Sequence, residues 1–284
     1  MVALLIVAAS AVGLVEGIAI KKYNKKHDKG GFIFTALISL FSMLFFIITD
    51  KGGIEIVPQM LPYSIISGIL YCTASLLTFI ALKCGSFSIS MLILSYSGVF
   101  TILYGLIFLR EPTSVFAYIG MGIMMISLFL SRPAKAENEK RGSFKWLICI
   151  TVSLFGSGFF GVMSKAQQIR FENRYNNEYM MLTLAISFVI LVTVGIINDR
   201  KNLGYILRYG APYAALGGIS NGATNLLALI ITSLIAVSIS SPLSAGTKII
   251  MSFIVSKLIF KESFLKRQVF GVLLGAVSLV FLNL

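Results

Sequence analysis

The chain has 284 residues, 57% of them hydrophobic and only 12% charged, with a mean hydropathy of +0.91. A soluble domain carries about 25% charged residues, so a surface wetted on all sides is excluded and lipid is the solvent this composition fits. The net charge of +13 does not argue for a nucleic-acid partner, because excess Lys and Arg in the loops of membrane proteins act as topology signals.

A hydrocarbon core about 30 Å thick needs about 20 apolar residues per helix. Runs of that kind lie near 3–20, 32–49, 61–82, 87–109, 113–131, 144–164, 179–197, 208–231, 235–259 and 264–283. Alternating strands of the barrel type are absent, which leaves helices as the spanning form. Span one lacks a basic n-region and nine more spans follow it, so it is expected to stay in the protein and not to be cleaved as a signal peptide. It carries Glu16 and the small pair Gly13 and Gly17. The Lys-rich segment 21–29 is expected to be a loop, with His27 solvated in it. Span three carries Tyr71, Ser75 and Thr78, and span four carries Ser95 and Tyr96 near its midpoint. A charged linker, 132–143, separates residues 1–131 from 144–284, and Trp146 beside it reads as an interfacial anchor. On span eight, Asn221 and Asn225 are spaced i, i+4 and so share one face. Lys248 lies near the middle of span nine, and Gly271 with Gly275 forms a small-xxx-small pair on span ten. Packing within the chain is the simplest use of that pair, and it leaves dimerisation through span ten open.

The two halves repeat. Ser75-Leu76-Leu77 matches Asn225-Leu226-Leu227, and Phe87-Ser88-Ile89-Ser90 matches Val237-Ser238-Ile239-Ser240, both 150 residues on. After a one-residue shift Leu109-Arg110-Glu111 matches Phe260-Lys261-Glu262, Gly120 matches Gly271, and Ser127 matches Ser278. A unit of five spans is odd, so its second copy enters the membrane from the opposite side. The expected fold is an all-α membrane protein of ten transmembrane helices, arranged as two inverted five-helix repeats, 1–131 and 144–284. Inverted repeats are the architecture of many secondary transporters, with the substrate at the midplane.

These ten spans, with Leu109-Arg110-Glu111-Pro112, Phe260-Lys261-Glu262 and the Phe155-Gly156-Ser157-Gly158-Phe159 segment running to Lys165, resemble the drug/metabolite transporter superfamily, and within it the ten-helix exporter-type (EamA) family. The resemblance implies export or exchange of amino acids or related metabolites through a cavity lined by spans 1, 3, 4, 6, 8 and 9. Glu16 in span one and Lys248 in span nine depart from the family pattern. A Lys at a similar point of this helix in sugar-phosphate and nucleotide-sugar translocators implies an anionic group on the substrate.

Ionisable groups far from the membrane edges cost about 2.5–3.5 kcal/mol at a helix centre, which singles out two residues. Lys248 either faces a cavity or closes a structural ion pair. Glu16 either couples an ion or reaches the headgroups beside Lys21. Asn221, Asn225, Tyr71, Ser75 and Tyr96 are candidate substrate contacts, with interhelical hydrogen bonding as the alternative use. No nucleophile stands with a base, no phosphate-binding glycine loop occurs, and Cys72, Cys84 and Cys149 lack metal-ligand spacing. The expectation is therefore a secondary transporter and not an enzyme, with neither cofactor nor metal. It would move small polar metabolites, amino acids first, across a plasma membrane of bacterial type. Transport of phosphorylated or sugar metabolites, or a non-transporting scaffold, are the alternatives. Loops after odd-numbered spans hold eighteen Lys and Arg against five after even-numbered ones, which places both termini outside, against the orientation the resemblance implies.

Overall fold

A computed structural model describes residues 2–27, 29–50, 52–85, 87–110, 114–130, 144–260 and 266–281. Among these residues there is no strand. The helices are α1 (Val2–Lys26), α2 (Gly31–Thr49), α3 (Leu61–Cys84), α4 (Phe87–Ser95), α5 (Gly98–Ile107), α6 (Val115–Leu130), α7 (Phe144–Arg170), α8 (Asn176–Asn198), the single turn α9 (Leu203–Tyr205), α10 (Ala211–Leu234), α11 (Val237–Val255) and α12 (Lys266–Phe281). Among the described residues, seven helical stretches are long and apolar enough to cross a bilayer: Val2–Lys26, Gly31–Thr49, Pro58–Cys84, Phe144–Arg170, Asn176–Asn198, Arg200–Leu234 and Val237–Phe260. The chain is an all-α integral membrane protein. The other expected spans fall on shorter helices.

Span four, expected as one run, is divided at Tyr96–Ser97 between α4 and α5. The backbone tightens there: Tyr96 N–H donates to Ile93 O and Ser97 N–H to Leu94 O, both at 3.0 Å. A Ser-Tyr-Ser-Gly sequence supplies local hydrogen-bonding competitors and a glycine, each a weak helix former. Residues 21–26, expected as loop, continue α1. Four lysines hid that turn, although lysines suit the C-terminal end of a helix dipole. His27 ends the helix and is not a free loop residue: its Nδ1 lies 2.8 Å from the Tyr205 hydroxyl, and its ring stacks on Tyr23 and Tyr209. The linker 132–143, Glu111-Pro112 and Lys261-Glu262-Ser263 lie outside the described residues.

α1 packs on α10, α3 on α7 and α8, α2 on α8 and α10, α5 on α11, and α6 on α12. Glycines set the closest of these crossings, where small residues let backbones approach. A methyl at Gly68 would fall 2.7 Å from Ile186 and 3.1 Å from the Thr183 carbonyl. One at Gly218 would fall 2.6 Å from Phe41 and 2.7 Å from the Ile38 carbonyl. Ser127 on α6 donates to Gly271 O on α12 at 2.6 Å, and a methyl at Gly275 would meet the same hydroxyl, so the Gly271/Gly275 face is used inside the chain.

Long polar side chains close the ends of two helices. Lys21 Nζ donates to Leu82 O at 3.1 Å and also to Gly85 O, and Asn24 donates to Phe79 O at 3.1 Å, all at the end of α3. Lys165 Nζ donates to Thr232 O at 2.7 Å and Gln168 to Leu229 O at 3.0 Å, at the end of α10. The Leu82 and Thr232 carbonyls lie in the last turn of their helices and have no partner there, and in lipid each would otherwise stay unsatisfied.

Candidate functional site

The two ends of the bundle differ. Where α1 and α3 end, a continuous apolar cluster that includes Leu14, Ile20, Phe34, Leu82, Phe87 and Met91 fills the interior. Where α1 begins, α7 and α10 end and α11 begins, there is a cavity of about 260 Å³.

Its wall is largely apolar, with two cationic and several polar side chains set into it. Lys248 on α11 and Lys165 on α7 line it, with Asn225 and Thr224 from α10. Hydroxyls come from Ser10 on α1, from Ser95, Ser97 and Thr101 around the break between α4 and α5, and from Ser240, Ser241 and Ser244 on α11. No carboxylate is among the described lining residues. The break at Tyr96–Ser97 presents Ser95 and Ser97 together. On α11, Pro242 lies inside the helix, where it removes one backbone hydrogen bond, and the serines around it face the cavity.

Behind Asn225 stands a hydrogen-bonded network centred on Asn221. Its Oδ1 accepts from Tyr71 Oη at 2.6 Å, from Asn225 Nδ2 at 2.9 Å and from Ser42 Oγ at 3.1 Å, while its Nδ2 donates to Glu16 Oε2 at 2.8 Å. One amide thus satisfies four side chains from four helices. Glu16 and Lys248 act on each other electrostatically without a direct ion pair. Glu16 therefore pairs with Asn221 and not with Lys21, which is committed to the end of α3.

Of the residues singled out from sequence, Lys248 and Asn225 line the cavity, while Asn221, Tyr71 and Glu16 form the network behind it. Ser75 is not among the lining residues; its hydroxyl donates to Cys72 O in its own helix at 3.1 Å. Tyr96 is not among them either, since the tightened turn puts its neighbours Ser95 and Ser97 on the wall. Sequence reasoning missed Lys165 and the serines of α11. Residues 237, 240, 241, 244, 245 and 248 follow the three- and four-residue spacing of one helix face, so that stripe carried a readable signal. Lys165 looked like the edge of a span.

The EamA-like transporter family model matches residues 1–132. Comparison with curated proteins finds no match. Among solved structures, a crystal structure of another protein superposes with a TM-score of 0.66 at 12% identity, over 96% of both chains. At that identity the likeness concerns the fold alone.

Proposed function

Residues 1–132 belong to the EamA-like transporter family, and from that premise we propose that the protein is a secondary active transporter of small polar metabolites bearing an acidic group, amino acids and their derivatives foremost. The observation that carries this reading is the cavity itself: two lysines and many hydroxyls, with no carboxylate among its described lining residues. A buried ammonium costs free energy unless a counter-charge meets it, and among the described residues Glu16 is the carboxylate that acts on Lys248, without a direct ion pair. An anionic substrate group supplies the missing partner through charge-assisted hydrogen bonds.

The scaffold proposed is ten spans in two inverted five-helix repeats. Duplicate contacts support it. Tyr71 and Asn221, 150 residues apart, bond to each other. Lys21 and Asn24 bind Leu82 and Phe79 as Lys165 and Gln168 bind Thr232 and Leu229, with the donors 144 and the acceptors 150 residues apart. Gly68 meets Thr183 and Ile186 as Gly218 meets Ile38 and Phe41. Such pairs are expected when one unit is built twice and related by an axis between the copies.

Glu16 is the proposed coupling group. Asn225 on the wall reaches it through Asn221, so a proton on Glu16 alters the acceptor that Asn221 Nδ2 needs and, through the same amide, the donor offered to substrate. The test is uptake into proteoliposomes screened across amino acids, sugars and phosphorylated metabolites. Uptake of an acidic metabolite is the expected result, and no uptake of any class would count against a transporter.

A further inference from the structure

If one unit is built twice, the opposite-facing state follows by exchanging the conformations of the two halves. Contacts present in both halves survive that exchange, and contacts present in only one half must form or break. The lysine ties of α1 to α3 and of α7 to α10 are of the first kind. Gly17 and Gly161, 144 residues apart like the two lysines, are of the second kind. At Gly17 a methyl would fall 2.5 Å from Met91 and 3.0 Å from Phe87, so α4 is closed onto α1. The residues 150 positions beyond Phe87 and Met91 are Val237 and Ser241 at the start of α11. At Gly161 a methyl would fall 3.0 Å from Thr101 on α5, and among the described residues no atom from the start of α11 comes within 4 Å of it; Val237, Ser241 and Gly161 all line the cavity.

We propose that Gly17 with Phe87 and Met91, and Gly161 with Val237 and Ser241, are the two gates of this protein, the first closed and the second open in this structure. The inference rests on the transporter reading. Both moving pieces are marked by a defect in their helix: α4 ends at the Tyr96–Ser97 turn, and Pro242 separates residues 237–241 from the rest of α11. Proline and tightened turns are where helices bend. In the exchanged state the start of α11 closes on Gly161, and Phe87 and Met91 leave Gly17, opening the cavity to the other face. A glycine is needed at each seat because any side chain there occupies the space that the gate must fill.

The test uses the full chain with Cys72, Cys84 and Cys149 replaced by serine and Ala245→Cys as a reporter in the cavity wall, labelled by a membrane-impermeant thiol reagent in right-side-out and inside-out vesicles. The parent is expected to label from both faces. Gly161→Leu keeps the second gate open, and its labelling should shift about tenfold toward the face where α11 begins. Gly17→Leu should shift it by a similar factor toward the opposite face. Phe87→Ala, which adds no bulk, should move with Gly17→Leu. A parent labelled from both faces, with variants that leave the ratio unchanged or move it the same way, overturns the gates and leaves transport standing. A parent labelled from one face only, with no variant opening the other, overturns the transporter reading as well.

Discussion

Replacing Asn221 with leucine, of similar volume, separates the loss of a polar hub from the creation of a cavity. Four side-chain hydrogen bonds disappear: those to Tyr71, Asn225, Ser42 and Glu16. Two of the partners keep another bond, Ser42 to Gly218 O at 2.8 Å and Asn225 to the backbone carbonyl of residue 221 at 3.1 Å. The Tyr71 hydroxyl and the Glu16 carboxylate lose the partner described here. At the membrane average of about 0.6 kcal/mol per bond, the floor is roughly 2 kcal/mol. Stranding one hydroxyl and one carboxylate at about 1–3 kcal/mol each, in place of their two bonds, raises the expected loss to about 3–7 kcal/mol. Equilibrium unfolding in mixed micelles would measure it, with Tyr71→Phe as the smaller partner, expected at about 0.6–1.7 kcal/mol. A double-mutant cycle should show the two changes to be non-additive, as residues sharing one bond are. A variant within about 0.5 kcal/mol of the parent, with additive effects, would refute the assignment of Asn221 as the centre of the network.

Three further outcomes are expected. Glu16→Gln should abolish accumulation driven by a pH gradient while counterflow exchange persists; unchanged pH dependence would remove Glu16 from coupling. Partial desolvation and neighbouring Lys26 hold the His27 imidazole below its ordinary value, so its stabilising contribution is present above about pH 6.5 and lost as the pH falls below that. A melting curve that weakens in that window, and flattens in His27→Gln, would bear this out, whereas the same curve in both would not. From the eighteen-to-five imbalance of basic residues, a fluorescent protein fused after Leu284 should stay dark and a phosphatase fusion should be active outside the cell; the reverse result would invert the topology.

Helix positions were legible because apolar runs and polar punctuation reflect the thickness of the hydrocarbon core. The α1 extension to Lys26 was not, since its lysines look like loop until Lys21 is seen to bind the end of α3. Lys248 and Asn225 could be reached from sequence because polar groups deep in an apolar run are costly there. Lys165 could not, because its place on the wall depends on how far α10 extends beside α7. Tyr71 and Asn221 stand 150 residues apart, the offset of the proposed repeat, but an offset in sequence gives no sign that the two side chains bond to each other. Tyr96 and Ser75 show the converse limit. A one-residue error in facing follows from a tightened turn in one case, and an intrahelical hydrogen bond absorbs the hydroxyl in the other.

The anion site is tested by counterflow of a radiolabelled acidic metabolite in proteoliposomes holding the unaltered protein or Lys248→Gln. A charge-assisted hydrogen bond is worth about 1.5–3 kcal/mol, so the variant is expected to need roughly tenfold to a hundredfold more substrate for half-maximal exchange, with Lys248→Arg recovering part of the loss. Exchange by Lys248→Gln that matches the unaltered protein, for a substrate which the latter demonstrably moves, would contradict an anion site built on this lysine.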